Sequence, residues 1–251
     1  MNKKFKGHYS FLSDTGSVRL NNDDDCLVCC NSNGDVLMIV ADGMGGHQRG
    51  DYASKNAVSF IKDEFECKSK FLNSLDVYLF LIKSLSRINR QLYDIAHTNS
   101  SYKGMGTTIV IGLIYNDKLF VLNVGDSRLY RLKNNELSLL TKDDSYVNYL
   151  FNTGNIKYDE MKTHPQRHVL TNALGLFKHV RFDLKKYKYN GESILLCSDG
   201  LYNNAQNKDI ENIIKTNDLV DQKVKSLVNL ANFNGGSDNI SVALWESMDV
   251  N

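Results

Sequence analysis

Aspartates stand where the apolar runs of this sequence stop. Val36-Leu37-Met38-Ile39-Val40-Ala41 runs into Asp42-Gly43-Met44-Gly45-Gly46, and Leu119 to Val124 runs into Gly125-Asp126-Ser127-Arg128. Ile194 to Ser198 runs into Asp199-Gly200, while Ser237-Asp238-Asn239 leads into Ile240 to Leu244. Asp23-Asp24-Asp25 precedes the first strand-like stretch. One Asp-Gly pair is an ordinary turn. Repetition at four strand ends points elsewhere, because carboxylates held together on a rigid sheet edge repel, and divalent cations relieve that repulsion most simply. All-oxygen ligands select hard ions, Mg²⁺ or Mn²⁺, over zinc. The glycines let the backbone come close enough for a carbonyl to join the shell. The residues alone therefore predict a di-metal hydrolytic site.

Other constellations carry less. His164-Pro165-Gln166-Arg167-His168 spaces two histidines by four, but the proline places them in a loop or at a helix start, and no H-E-x-x-H is present. They read as structural or surface residues. Asp42 to His47 is glycine-rich yet matches neither the phosphate-loop nor the dinucleotide pattern. Cys26-Leu27-Val28-Cys29 is formally C-x-x-C, but on a strand positions three apart face opposite ways, so these thiols read as small buried hydrophobes. Lys185-Lys186-Tyr187-Lys188-Tyr189 reads as a solvated strand or loop.

The elements that must position the aspartates are legible from periodicity. A hairpin spans 25–41. Thr107 to Tyr115, Lys118 to Val124, Ser127 to Lys133 and Glu136 to Leu140 follow one another through short turns, and Ser193 to Cys197 and Ile240 to Trp245 complete the strands. Short connections mean antiparallel pairing. Leu75, Leu79, Ile82, Leu85, Ile88, Leu92 and Ile95 recur at helical steps from Ser74 to His97. A helix before it carries Ala53, Ala57, Phe60, Ile61 and Phe65, and one near the C-terminus carries Leu219 to Ala231. The fold class is α+β, with helices on the faces of antiparallel sheets. Asp143 to His179 is the least periodic stretch and reads as an irregular surface excursion.

Composition bounds the rest. The 251 residues hold 30 basic and 29 acidic side chains, a net charge of +1, so no global field recruits nucleic acid or a membrane. No apolar run approaches the ~18–20 residues that span a bilayer. Five cysteines, an odd number, and a basic N-terminus with no apolar segment behind it point to a soluble, cytoplasmic protein. No repeat or linker appears, so one domain over 1–251 is expected.

Taken in order, the motifs resemble the metal-dependent protein phosphatase family, the protein phosphatase 2C type, in its compact bacterial form. They are Ser13 to Asp24, Val40 to His47, Gly104-Met105-Gly106-Thr107-Thr108, Val124 to Tyr130, His164 to Gly175, Cys197 to Leu201 and Gly236 to Ile240. The resemblance implies a four-layer α/β/β/α sandwich, two antiparallel sheets flanked by helices, that hydrolyses phosphoserine and phosphothreonine in proteins. It implies two Mg²⁺ or Mn²⁺ ions, with Asp42 bridging them and Asp199 and Asp238 completing the ligands of the first ion. The Gly43 carbonyl would serve the second ion, with Asp24 or Asp23 bound directly or through water. A third, weaker ion would sit between Asp126 and Asp199. Arg19 would grip the phosphate, since a guanidinium fork matches phosphoryl oxygens. Water activated between the two ions would attack phosphorus in line.

The resemblance further implies phosphorylated protein substrates, a cognate Ser/Thr kinase and a flap over 143–175; a monomer is the default. Three departures stand out. Met44 replaces a histidine proposed as general acid in many eukaryotic members, leaving a metal-held water or His47 as proton donor. Asn22-Asp23-Asp24 replaces Asn-Glu-Asp, and Asp144 stands where histidine is common in the flap. A phosphoprotein-binding pseudo-phosphatase and a small-ester hydrolase are the competing readings.

Overall fold

Runs in which every residue is buried need protein on both faces, and the central strands here have it. The structure is a computed structural model that describes residues 4–45 and 48–248. One sheet is ordered β1 (Gly7–Asp14), β11 (Ile240–Ser247), β10 (Ser193–Cys197), β7 (Arg128–Lys133), β8 (Glu136–Leu139). The other is ordered β2 (Asp24–Cys30), β3 (Val36–Met44), β5 (Ile109–Tyr115), β6 (Lys118–Val124), β9 (Asp183–Lys188), with β4 (Gly106–Thr107) paired to the end of β3. The paired strands run antiparallel.

Alternation sorts each strand between two apolar layers. Val36, Met38 and Val40 of β3 face Leu196, Ala243 and Trp245 in the layer between the sheets. Leu37, Ile39 and Ala41 face the other way, onto α1 (Gln48–Cys67) and α2 (Ser74–Thr98). On the first sheet Leu195, Cys197, Val242 and Leu244 pack beneath α5 (Asp199–Tyr202), α6 (Asn207–Ile214) and α7 (Val220–Phe233). Four layers thus enclose three apolar seams, the α+β sandwich expected. Cys26 lies between the sheets and Cys29 packs against the helix layer, opposite faces as strand geometry requires. Among the described residues no helix is long and apolar enough to cross a membrane.

Two differences from the sequence reading matter. β1 was not expected, because its Tyr9 and Phe11 are exposed and its strand forms a sheet edge. The irregular excursion contains two short helices, α3 (Tyr146–Asn152) and α4 (Tyr158–Met161), too short to show helical periodicity. It is fastened by the bridges Ser145 to Leu170 and Thr107 to Leu174. The β7–β8 turn at Asn134-Asn135 has both residues at positive φ, 51° and 62°, as a tight hairpin turn requires.

Candidate active site

Both sheets contribute carboxylates at one end of the sandwich. On the second sheet, Asp24 of β2 and Asp42 of β3 are register partners. The Asp42 N–H donates to Thr108 Oγ1 at 2.9 Å, and its carbonyl accepts from Thr107 Oγ1 at 2.9 Å and from the Thr108 N–H at 2.8 Å. The two threonines therefore fix the backbone from which the Asp42 carboxylate projects. Gly43 must be glycine for packing, since a Cβ there would strike the Gly50 carbonyl and the Asp23 carbonyl. Asp23 is held on the other side: its N–H donates to Asn239 Oδ1 at 2.9 Å, and its carboxylate accepts the Asp51 N–H of α1 at 3.2 Å.

On the first sheet, Asp199 opens α5 directly after β10, and Asp238 ends the turn before β11. Ser198 joins the sheets: its Oγ donates to Asp24 Oδ2 at 2.6 Å and accepts the Ser241 N–H at 2.9 Å. Asn239 anchors the 15–23 loop, donating to the carbonyls of Thr15 and Asn21 at 2.8 and 2.9 Å. That loop carries Arg19, whose Nη2 lies 2.8 Å from Asp238 Oδ2 with its side chain 54% exposed. Asp199 Oδ2 accepts from Asn203 at 3.0 Å, while Oδ1 is buried with no hydrogen-bond partner. His168 of the excursion brings Nδ1 to 3.9 Å from Asp199 Oδ2.

The electrostatics are those of crowded like charges. Burial, followed by the charges of Asp24, Asp199, Asp126 and Asp238, holds the Asp42 carboxyl well above the usual range. Burial pushes Asp24 up to about 7 and Asp199 up to about 6, with neighbouring carboxylates adding to both. Asp126 is raised by burial and then by Asp199 and Asp143. Arg19 and Arg128 offset part of this at Asp199. Among the described residues no three side chains already close into a ligand cage. The donor set nevertheless fits hard divalent cations: all oxygen, mutually repelling, with one buried carboxylate oxygen unpartnered. His47, the sequence candidate for proton donor, lies outside the described residues.

A family model described as protein phosphatase 2C matches residues 16–239. The chain belongs to the protein phosphatase 2C family. It is an enzyme of the protein phosphatase class. Serine/threonine phosphatase stp of Listeria welshimeri is 36% identical over 240 residues, covering 95% of each chain. The crystal structure of serine/threonine phosphatase Stp1 from Staphylococcus aureus superposes with a TM-score of 0.91 at 34% identity, covering 98% of this chain and 97% of that one. The catalytic domain of the serine/threonine protein phosphatase PstP, solved in complex with two manganese ions, gives a TM-score of 0.84 at 29% identity, covering 98% and 99%.

In this protein phosphatase 2C chain the 143–175 segment within the excursion is rooted beside Asp126. Arg128 makes a two-pronged contact with Asp143, Nη2 to Oδ2 at 2.7 Å and Nε to Oδ1 at 3.1 Å. Its guanidinium also lies 3.5 Å above the Tyr202 ring, and the Tyr202 hydroxyl donates to the Asp126 carbonyl at 3.1 Å. Asp144, the departure noted above, accepts the Gly125 N–H at 3.2 Å and Asn172 Nδ2 at 2.7 Å, fastening both ends of the excursion to the strand end that bears Asp126. Sequence reasoning gave no role to Thr107, Thr108, Ser198, Asn239 or Tyr202. The first four stand inside motifs quoted above, but their hydrogen-bond partners are remote in sequence.

Proposed function

We propose that this chain hydrolyses phosphoserine and phosphothreonine in proteins at a dinuclear Mg²⁺ or Mn²⁺ centre. The observation that carries the reading is the convergence of Asp24 and Asp42 from one sheet with Asp199 and Asp238 from the other. Two guanidiniums and one unpartnered carboxylate oxygen accompany them. Asp42 would lie between both ions, with Asp199 and Asp238 on the first and the Gly43 carbonyl and Asp24 or Asp23 on the second. Asp126 and Asp199 would take a third. When bound, the ions supply activated water for in-line attack on phosphorus and neutralise developing charge.

The chain's own residues do the rest. Thr107 and Thr108 hold the Asp42 backbone, and Ser198 orients Asp24. Arg19, exposed and tethered through Asn239, is the group that binds the phosphoryl oxygens, exchanging its contact with Asp238 for the substrate. The 143–175 segment acts as the flap that shapes access. A cognate Ser/Thr kinase supplying the substrates, a single catalytic domain, a cytoplasmic setting and a monomeric state accompany the proposal.

The test is phosphate release from a phosphothreonine peptide in EDTA, Mg²⁺ and Mn²⁺. Release that requires metal and disappears in Asp42→Ala is the expected result. No release with either ion, alongside retained binding of the phosphopeptide, would turn the reading to a phosphoprotein-binding module.

A further inference from the structure

The 12 residues from Phe177 to Lys188 concentrate positive charge that the rest of the chain lacks. Lys178, Arg181, Lys185, Lys186 and Lys188 stand there against one acid, Asp183, although the whole molecule carries only +1. All five cations are exposed. Lys185 pairs with Asp183, whereas among the described residues Lys178, Arg181, Lys186 and Lys188 make no ion pair. Charged residues guard exposed sheet edges against unwanted pairing, and β9 is an edge strand. That purpose accounts for the strand lysines but not for Lys178 and Arg181, which precede the strand.

The backbone beneath these two residues is fixed rather than loose. Asn89 of α2, buried, donates to the carbonyls of Phe177 and Lys178 at 3.0 and 3.2 Å and accepts the Gly175 N–H at 3.0 Å. Asn172 donates to the Arg181 carbonyl at 2.8 Å. Between these clamps the loop and α2 enclose a cavity of about 240 Å³ whose wall includes Arg90, Lys178 and His179. On β9, Leu184 packs into the helix-side core, so Lys186 and Lys188 share that face by strand alternation. Lys188 pairs with Lys118, whose ammonium donates to Ser74 at the start of α2. The basic strip therefore flanks α2 from Ser74 to Asn89, about 22 Å at 1.5 Å per residue.

Its near end adjoins the reaction site. Leu174 bridges Thr107, which hydrogen-bonds the Asp42 carbonyl, and the basic loop begins three residues after Leu174. We propose that the cavity and strip bind an acidic stretch of the phosphoprotein substrate, lying on one side of the residue being dephosphorylated. This rests on the phosphatase reading above and names the substrate class that this enzyme prefers. The occupant is a polypeptide rather than a nucleic acid because the strip leads away from a site that takes phosphoprotein, and a molecule of net charge +1 has no field to recruit a nucleic acid. Tyr187 is turned inward, its hydroxyl donating to the Leu140 carbonyl, while Phe177 and Phe182 are exposed beside the cations and offer apolar contact to the same segment. A pre-fixed loop binds without the cost of ordering itself.

Two phosphothreonine peptides identical but for a distal run of glutamates or of glutamines test the proposal, with p-nitrophenyl phosphate as the small ester. The wild-type enzyme is expected to favour the glutamate peptide roughly five- to tenfold in kcat/KM, the yield of two or three exposed charge pairs, through KM and with loss at high salt. The Lys178→Glu, Arg181→Glu double variant is expected to lose that preference while turning over p-nitrophenyl phosphate as before. Equal kcat/KM for the two peptides in the wild type, or a preference that survives the double variant, overturns the proposal. If the double variant also fails on the small ester, Lys178→Gln and the salt dependence of the wild-type preference decide. Binding of the wild type to phosphatidylserine vesicles or single-stranded RNA, with no peptide preference, reassigns the strip and overturns it equally. Failure of the phosphatase reading looks different, since neither peptide would then release phosphate.

Discussion

At the scale of the single residue, Asp199 carries the most. One of its oxygens is held by Asn203 and the other is buried without a partner, so the group sits oriented and only half satisfied. Asp199→Asn keeps the shape and removes the charge. It is expected to lower phosphate release by at least about 10³-fold, as losing a charge-stabilising group at the reacting centre does, and to weaken Mn²⁺ binding in calorimetry. The raised carboxyls also fix a pH dependence. Burial pushes Asp24 up to about 7 and Asp199 up to about 6 in the folded chain, above the ordinary carboxylate value of 3.8. The folded state therefore holds protons that the unfolded state has released. The stability this contributes is complete below about pH 4 and is lost as pH rises through 6 and 7. In EDTA the melting temperature should fall between pH 5 and 8, and fall less in Asp24→Asn. A wild-type midpoint that instead climbs across that window, with Asp24→Asn following the same course, would remove these carboxyls as its cause.

At the scale of elements, the join between β7, α5 and the start of the 143–175 segment decides how firmly that segment, the proposed flap, is set. Arg128 grips Asp143 with two nitrogens and stacks on Tyr202, and lysine can do neither. Arg128→Lys should cost about 1.5–3 kcal/mol in denaturant unfolding, the range for a charge-assisted contact. It should also raise KM for a phosphopeptide more than for p-nitrophenyl phosphate, because the root of the proposed flap and not the reacting centre would have loosened. A parallel loss on both substrates would place Arg128 in the centre itself. This level also shows what a sequence discloses. β3, β5 and β6 were readable because burial on both faces makes their apolar runs continuous, and α2 because its apolar positions keep helical spacing over 25 residues. β9 was ambiguous because only Leu184 and Tyr187 pack, amid lysines. The aspartates were legible as interruptions of apolar runs. Their supports were not: Asn239 reaches Asp23 across 216 positions and Ser198 reaches Asp24 across 174, and no local pattern encodes such a meeting.

At the scale of the molecule, the site lies where the two sheets come closest to sharing side chains. Asp24 and Asp42 belong to one sheet, Asp199 and Asp238 to the ends of strands in the other, and Ser198 hydrogen-bonds directly from one group to the other. Elsewhere the sheets meet chiefly through the apolar layer of Met38, Leu196 and Trp245, which resists sliding by packing. Ions held by ligands from both sheets would tie the halves together in the folded state alone, because the unfolded chain scatters those ligands over more than 200 positions. By linkage, free Mn²⁺ at about 100 times its dissociation constant should then add about 2.7 kcal/mol to global stability. The transition should stay single, with the melting temperature rising continuously with ion concentration. Asp42→Asn and Asp199→Asn should each abolish most of that rise, although they alter different sheets. A Mn²⁺ effect lost in one variant and intact in the other would assign the ion to one sheet alone and break the cross-sheet account. The Ser198→Ala variant separates the two ties: it should lower the midpoint in EDTA, with the increment gained from Mn²⁺ largely preserved.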